Sequence, residues 1–466
     1  MGRGFSARRA VTACLVTTVT LGAGTACTSG GASTATPPRA SGPVTASAAA
    51  EAPGGSGPAP VLPARALASP GCSAATATGT VLGSADTATV PLEGSAQGVA
   101  ATPDGRWAFA VSAGTASAVE VLRLGSGAAP APAVSQIRSI PLPASSGAGV
   151  AGAAVTPDGK YLLVAWGAGA AVISVARAEA GTAGAVLGSL TVPTPAGSAG
   201  PPGGAAEVAV SPDSRFAFVT LEYSDEAAVF NLAGALAHGF GTAGYVGAVP
   251  LGSAVVGMAV SPDGRWLYAT SESAVRGQHP VGLGSPGGCQ GGVPSTFRAE
   301  PTGTLTVVDL RRAETDPARS VTATVDAGFQ PVRVVTAADG TEVWVTARAS
   351  DDVLCFSAAR LAADPAHALV AVTRVGSEPV GLAAVRGGTL LVVADSNRFG
   401  ASGANSDLSV VSVRAALAGR PALVGDLATG LFPRDMAVSP NGTLLVSDYS
   451  SSQVQAIATA ALPAAG

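Results

Sequence analysis

The sequence TPDGRW at residues 102–107 recurs along most of the 466-residue chain. Close copies follow it: TPDGKY at 156–161, SPDSRF at 211–216, SPDGRW at 261–266 and SPNGTL at 439–444. Two weaker copies are AADG at 337–340 and VRGG at 385–388. Counted from the proline or its equivalent, successive units lie 54, 55, 50, 76, 48 and 54 residues apart. Seven units with a period of this size predict a propeller or a solenoid.

Each unit carries the residues of a β-hairpin. Proline fixes φ at the second turn position, and Asp-Gly supplies a tight reversal. The apolar runs VAV (208–210) and FAFV (216–219) flank one such turn and predict two inner strands. A third strand is predicted from LTVVD (305–309) and LSVVSV (408–413), and a fourth from VLGSLTV (186–192). The units are therefore predicted to be four-stranded antiparallel blades.

The two ends of the repeat region predict how the ring closes. The last unit ends after its third strand, VQAIA at 454–458, and a strand without a partner stands near residues 87–92. Pairing of these two segments would complete one blade and remove an exposed sheet edge. We therefore predict an all-β fold, a seven-bladed β-propeller over residues 71–466, closed by the N-terminal strand on the last blade.

The N-terminus has the features of an export signal. Residues 1–26 combine three arginines with a short apolar stretch rich in Ala and Thr, which predicts a signal peptide. Small residues before Cys27 resemble a bacterial lipoprotein processing site, so we predict lipidation of Cys27 and anchoring at the outer surface of the cell membrane. Gly24 stands where that site usually has Leu, Val or Ile, which keeps ordinary secretion as the alternative. The Arg8-Arg9 pair leaves twin-arginine export open beside the general secretory route.

Composition limits the kinds of partner that are expected for the exported protein. Residues 27–70 are almost entirely Ala, Ser, Thr, Gly and Pro and predict a disordered tether. Without residues 1–26 the chain has 23 basic and 30 acidic residues and no basic run. This charge pattern predicts no nucleic-acid partner and no membrane contact except through the N-terminal lipid. We expect a monomer whose partner is an unknown small molecule, a glycan or a protein.

The repeat resembles the YVTN-type repeat of lactonase-like and surface-layer seven-bladed propellers. In that family a strand–PDG–strand hairpin is followed by a third strand ending in Asp, matched by Asp309, and later by a Gly-Pro-type turn, matched by GSEP at 376–379. The resemblance covers roughly residues 79–460. It implies functions that range from ligand-binding surface modules to lactone hydrolases similar to 6-phosphogluconolactonase, and the repeat residues themselves do not choose between them.

Propeller ligands usually lie at the mouth of the central channel, on the face opposite the PDG turns. Two sets of loops build this face: those that enter the first strand of each blade, and those between its second and third strands. From the entry loops the candidate ligand-binding residues are Gln97, Glu207, Gln330, Arg333, Glu378, Arg434 and Asp435. From the second set they are Glu222, Tyr223, Asp225, Glu272, Arg276, Asp351, Asp352, Asp395, Asn397, Arg398, Asp448 and Tyr449. Arginines and carboxylates in a ring would suit an anionic or sugar-like ligand.

Metal and nucleophile chemistry have little support in the sequence. Its three histidines are scattered without ligand spacing, so no zinc site and no cofactor are predicted. Calcium held by Glu207, Asp435 and backbone carbonyls is the one alternative. No G-x-S-x-G motif is present, and no residue is predicted to be catalytic.

One long unit contains an insert, residues 271–303 in blade 4. Arg276 and His279 in this insert are candidates for a lid over the channel mouth, and disordered decoration is the equal alternative. In an oxidising compartment Cys72, Cys289 and Cys355 are candidates for disulfide pairing. The pairing Cys72–Cys289 competes with Cys289–Cys355, and Cys355 stands in a predicted strand where simple burial would also explain it.

Three functions remain open from the sequence. The favoured one is a non-catalytic module that binds a ligand or partner at the cell surface. The first alternative is a lactonase-like hydrolase of a sugar lactone or related ester, and the second is a structural envelope protein with a shallow mouth filled by apolar side chains.

Overall fold

A computed structural model describes residues 61–62, 77, 79–83, 86–125, 132–143, 150–196, 203–274, 302–398 and 406–464. The strands are β1 (Val61–Leu62), β2 (Thr87–Pro91), β3 (Ser95–Ala101), β4 (Trp107–Ala113), β5 (Ala118–Leu124), β6 (Val134–Pro141), β7 (Val150–Val155), β8 (Tyr161–Trp166), β9 (Gly169–Ser174), β10 (Val186–Thr191), β11 (Ala205–Val210), β12 (Phe216–Leu221), β13 (Glu226–Asn231), β14 (Tyr245–Pro250), β15 (Ser253–Val260), β16 (Trp266–Ser273), β17 (Thr304–Asp309), β18 (Val321–Asp326), β19 (Pro331–Thr336), β20 (Glu342–Ala347), β21 (Asp352–Ser357), β22 (Leu369–Arg374), β23 (Pro379–Val385), β24 (Leu390–Asp395), β25 (Asp407–Ser412), β26 (Leu423–Ala428), β27 (Pro433–Val438), β28 (Thr443–Asp448) and β29 (Gln453–Ala458).

Short helices connect the strands. The α-helices are α1 (Val175–Ala180), α2 (Leu232–His238), α3 (Leu310–Ala313), α4 (Ala358–Ala363) and α5 (Val413–Leu417). The 3₁₀ turns are Thr242–Gly244, Pro317–Arg319, Arg348–Ser350, Pro365–His367, Arg386–Gly388 and Thr459–Ala461. Within the described residues no helix is long and apolar enough to cross a membrane.

The strands form seven antiparallel blades, as predicted. Blades 1 to 6 are β3–β6, β7–β10, β11–β14, β15–β18, β19–β22 and β23–β26, and each follows the chain from its inner to its outer strand. Blade 7 consists of β27, β28 and β29 with β2 as its outer strand. The pairing of Thr87 to Pro91 with Ile457 to Gln453 confirms the predicted closure of the ring. The first strand of the propeller is thereby tied to the last.

One strand extends a blade beyond four. The segment β1, which falls inside the predicted tether, pairs in parallel with β18 at the outer edge of blade 4. An outer strand leaves a row of unpaired backbone groups, and a neighbouring piece of chain can satisfy them.

The PDG turns form as the sequence predicts. In the turn of blade 4 the Trp266 amide donates to the Ser261 hydroxyl at 2.9 Å, and the Arg265 amide donates to the Asp263 carboxylate at 3.0 Å. The hydrogen bond from Ser261, then that from Arg265, lower the pKa of Asp263. Gly264 has φ +67°, a left-handed conformation that L side chains adopt only with strain. The repeated residues are thus explained by turn formation alone.

The core lies between neighbouring blades. Each blade is apolar on both faces, so side chains of one blade pack against those of the next; Phe218, Val229 and Leu267 join blades 3 and 4 in this way. Leu445 and Val454 of blade 7 pack with Val99 and Leu122 of blade 1, which closes the apolar contact around the ring. A blade removed from this ring would expose both faces, so the seven stabilise one another.

All seven inner strands are irregular at one equivalent place. The register of each shifts two to four residues into the strand, near the channel mouth. At this shift each first strand contributes two consecutive residues toward the channel. The first of the two from all seven blades is called the mouth ring, and the second is called the inner ring. The mouth ring is Gln97, Ala151, Ala206, Val256, Val332, Val380 and Arg434. The inner ring is Gly98, Gly152, Glu207, Gly257, Arg333, Gly381 and Asp435.

Candidate functional site

A cavity of about 350 Å³ opens at the channel mouth. Its lining comes mainly from the first strands and from the loops between second and third strands. Gln97, Arg333 and Arg434 were predicted in entry loops, but they lie within the first strands β3, β19 and β27. The lining residues are Gln97, Ala113, Gly204, Ala205, Ala206, Glu222, Tyr223, Val256, Glu272, Val332, Arg333, Arg348, Val380, Arg398, Phe432, Arg434 and Tyr449.

The inner ring closes the channel below this cavity. Arg333 is its central residue and reaches two carboxylates, Glu207 at 3.4 Å and Asp435 at 3.4 Å. It also donates to the Val256 carbonyl at 3.2 Å. All three charged side chains are nearly buried, with 11–12% of each exposed. The arginine therefore joins blades 3, 4, 5 and 7 across the channel.

A glycine leaves space for this cluster, and two threonines satisfy the backbone amides beside it. A Cβ atom on Gly152 would lie 2.0 Å from the Glu207 carboxylate, so only glycine at that inner-ring position leaves space for the side chain of the next blade. The bulged amides of Glu207 and Arg333 donate to the Thr220 and Thr346 hydroxyls at 2.8 and 3.0 Å. The second strand thus satisfies the backbone groups that the irregular first strand leaves free.

The electrostatics of the inner ring raise the pKa of Glu207 above its usual range. Burial raises the pKa of Glu207 to about 7; Arg333 opposes this effect, and the Asp435 carboxylate adds to it. Two carboxylates share the Arg333 guanidinium, so each makes the charged form of the other less favourable.

A second ion pair stands in the wall of the cavity. Arg348 donates to the Glu272 carboxylate at 3.0 Å and to the Gln330 side-chain oxygen at 2.9 Å. Burial, then the neighbouring Glu272, raise the pKa of Glu222 on the same wall. Gln330, which the sequence offered as a ligand contact, instead holds Arg348 in place.

Among the described residues, Arg434 is a cation of this site without an ion-pair partner. Its guanidinium lies 5.7 Å from the centre of the Tyr449 ring, and among the described residues it has neither an ion pair nor a hydrogen-bond acceptor. Burial, then the neighbouring Arg333 and Arg398, lower the pKa of Arg434 to about 10. Arg398 lies over the Phe432 ring at 5.4 Å. An anion that enters the cavity would find a charged, partly desolvated donor.

The structure brings some predicted residues together and separates others. Of the entry-loop candidates Gln97, Arg333 and Arg434 line the cavity, and Glu207 and Asp435 lie beneath it as partners of Arg333. Of the second set the cavity is lined by Glu222, Tyr223, Glu272, Arg398 and Tyr449.

The remaining candidates hold backbone or neighbouring side chains outside the cavity. Asp225 accepts a hydrogen bond from the Ser253 hydroxyl, and Asp448 accepts one from the Thr429 hydroxyl. Asp351 and Asp395 accept from the backbone amides of Glu378 and Ser409, and Asp352 forms an ion pair with Arg374. The backbone amide of Asn397 donates to the Ser377 carbonyl. Glu378 takes part through its backbone, with φ +54°.

Sequence reasoning missed Arg348 and an apolar part of the wall. Arg348 follows the second strand of blade 5 directly, as Glu222 follows that of blade 3, so position alone would have found it. The sequence gives no signal for Ala206, Val256, Val332 and Val380, because apolar residues in a strand are indistinguishable from core residues.

Several predicted residues fall outside the described part of the chain: Cys27, Cys72, Arg276, His279 and Cys289. Cys355 is a buried free thiol in β21, and burial raises its pKa. Among the described residues no group of three or more His, Cys, Asp or Glu side chains could hold a metal ion. At Glu207 and Asp435, the carboxylates considered for calcium, the cation present is the Arg333 guanidinium.

Comparisons with known proteins support the fold. No protein-family profile matches the chain, and no curated protein matches its sequence. Among solved structures the chain is similar to one of Kuenenia stuttgartiensis hydrazine synthase, with a TM-score of 0.54 and 16% identity over 80% of this chain and 97% of that one. At this identity the likeness extends to the architecture and not to activity. The chain is a seven-bladed, all-β propeller with a polar cavity at its channel mouth.

Proposed function

We propose that this protein is an exported, lipid-anchored propeller of the YVTN or lactonase-like kind that binds a small anionic ligand at the channel mouth without transforming it. The observation that carries this proposal is Arg434, a partly desolvated guanidinium that faces the cavity without a described acceptor. The neighbouring carboxylates of Glu272, Glu207 and Asp435 are already paired with arginines.

The open cavity favours binding over a purely structural role. For a structural envelope protein we predicted a shallow mouth filled by its own apolar side chains. The cavity instead has a volume of about 350 Å³, within the usual range for small-molecule sites, and most of its charged side chains converge on it from different blades.

One observation favours the lactonase-like hydrolase as a second candidate. Glu207 has a pKa raised to about 7, chiefly by burial, which suits a general base that takes a proton from water. However, Glu207 lies behind Arg333 and does not itself line the cavity, so the binding function stands first.

Replacing Arg434 by Gln is expected to weaken anion binding about 10- to 150-fold, because a charged hydrogen bond contributes about 1.5–3 kcal/mol. The measurement is a thermal-shift titration of the mature protein with acetate, benzoate, gluconate and inorganic phosphate, followed by NMR of each stabilising anion over several hours.

Arg420→Gln is the matched control, since Arg420 is exposed and does not line the cavity. Equal affinity in wild type and Arg434→Gln would remove Arg434 from the site and with it the proposal. A ligand that binds and is consumed would replace the binding function by the hydrolase.

Replacing Cys27 by Ala tests the anchor. We expect the wild-type protein to incorporate labelled palmitate and to sediment with membranes, whereas Cys27→Ala is unlabelled and soluble after cell fractionation. A wild-type protein without lipid would leave only ordinary secretion.

A further inference from the structure

The floor of the cavity divides into an apolar arc and a polar corner. Ala206, Val256, Val332 and Val380 occupy the mouth ring of four consecutive blades, are each at most 9% exposed, and pack as one cluster with Phe432. The next two blades place Arg434 and Gln97 at the same ring position. These six of the seven mouth-ring positions thus offer hydrocarbon on four blades and hydrogen-bonding groups on two.

This division limits the chemistry of the ligand. A polyhydroxylated molecule lying on the apolar arc would give up hydrogen bonds to water and find no replacement there. An alkyl or aryl group in the same place would leave water for an apolar surface, which is favourable. The arc therefore selects against sugars and for a hydrophobic body.

The ion pairs among the described residues indicate where a negative group of the ligand would bind. Arg333 is shared by two carboxylates and Arg348 is paired with Glu272. Arg434 is the guanidinium at the edge of the arc that has no described counter-ion, and its planar fork matches a carboxylate. The rings of Phe432 and Tyr449, 5.0 Å apart, stand beside it and add an apolar flank.

We infer that the ligand is a small monocarboxylate with a compact apolar body, its carboxylate on Arg434 and its alkyl or aryl group on the arc of Ala206, Val256, Val332 and Val380. This inference rests on the proposed binding function and adds the class of ligand. The cavity volume of about 350 Å³ suits a molecule of this size.

The test is a chain-length series on the mature wild-type protein, with acetate, butyrate and hexanoate titrated by calorimetry. Each added methylene is expected to tighten binding about fourfold, as for burial of one CH₂ group, until the arc is covered. Gluconate and inorganic phosphate are expected to bind no more tightly than acetate, because the first has hydroxyls where the site has valines and the second has no apolar body.

Two isosteric variants locate the apolar contact. Val332→Thr and Val380→Thr are each expected to weaken hexanoate binding about threefold or more and acetate binding less, since the added hydroxyl meets the alkyl chain. Val438→Thr, at an exposed position of β27, is the matched control. Circular dichroism tests whether each variant is folded. If a variant does not fold, the chain-length series on the wild-type protein still tests the inference.

The outcomes separate this inference from the proposed function. Acetate and hexanoate of equal affinity, both lost in Arg434→Gln, would overturn the hydrophobic ligand and keep anion binding at the mouth. Tighter binding of gluconate would do the same. No binding by any of these anions would overturn both.

Discussion

Replacing Arg333 by Ala is expected to lower the free energy of unfolding by about 3–5 kcal/mol at pH 8, the range for breaking a buried ion pair. Arg333 lies 3.4 Å from both Glu207 and Asp435, and its removal leaves two buried carboxylates facing each other across the channel. The loss should be smaller at pH 5, where Glu207 takes up a proton more readily. Denaturant unfolding at the two pH values measures both effects.

An exposed ion pair provides the control for this prediction. Arg319 is paired with Asp316 at 3.5 Å with 71% of its side chain exposed, so Arg319→Ala should change stability by less than about 1 kcal/mol. The double variant Glu207→Gln, Arg333→Met should recover part of the loss, because it removes one of the stranded charges. An Arg333→Ala protein as stable as Arg319→Ala would show that the inner ring does not hold the channel together.

The second large effect is a fall in stability as pH rises from about 5 to 8. Burial is the main cause that raises the pKa of Asp351 and Asp407 to about 6, of Asp352 and Glu207 to about 7, and of Asp395 well above its usual range. A carboxyl whose pKa is raised in the folded state stabilises that state below its unfolded pKa. This contribution is lost as pH rises through the folded pKa. For Asp351, whose pKa rises from near 4 to about 6, roughly half of the effect falls above pH 5, which corresponds to about 1.5 kcal/mol.

Thermal unfolding of the wild type at pH 5, 6, 7 and 8 measures this fall, and Asp395→Asn assigns part of it. One Asp395 oxygen accepts from the Ser409 amide at 3.1 Å, and an asparagine can keep that bond without carrying a charge. The variant should be more stable than wild type at pH 8, with the difference shrinking toward pH 5. Asp86→Asn, at an exposed position, is the control. Equal stability of the wild type at pH 5 and pH 8 would contradict the prediction.

The fold was predictable because its strongest signal is local. A turn such as that at Ser261 to Gly264 is specified by four adjacent residues, and seven regular copies leave few architectures open. The strand that closes blade 7 was also predictable. The C-terminal unit supplies three strands and the N-terminal region supplies one, and together they complete a four-stranded blade.

The short helices were missed although the sequence signals them. Each of α1 to α5 begins after a third strand, and its N-cap residue accepts a backbone hydrogen bond: Ser174, Asn231, Asp309, Ser357 or Ser412. Asp309 was recognised only as a family feature, while its physical role is to cap a helix. Five residues of this kind at one position of the repeat were enough to predict the helices.

The candidate site was predictable as a face and not as a set of contacts. Sequence position places Glu207, Arg333 and Asp435 at one level of the ring, but it does not reveal that Arg333 spans the channel. This arrangement depends on Gly152, whose lack of a side chain leaves space for Glu207. The apolar arc needs the three-dimensional ring, because its members are single residues about fifty positions apart in otherwise ordinary strands.

Crystals of the protein soaked with 4-bromobenzoate test the central claim most directly, because anomalous scattering locates the bromine without interpretation of weak ligand density. We predict one bromine peak in the mouth cavity above Val256, Val332 and Val380, with the carboxylate in contact with the Arg434 guanidinium. An empty cavity at saturating concentration, or a carboxylate bound away from Arg434, would contradict the account.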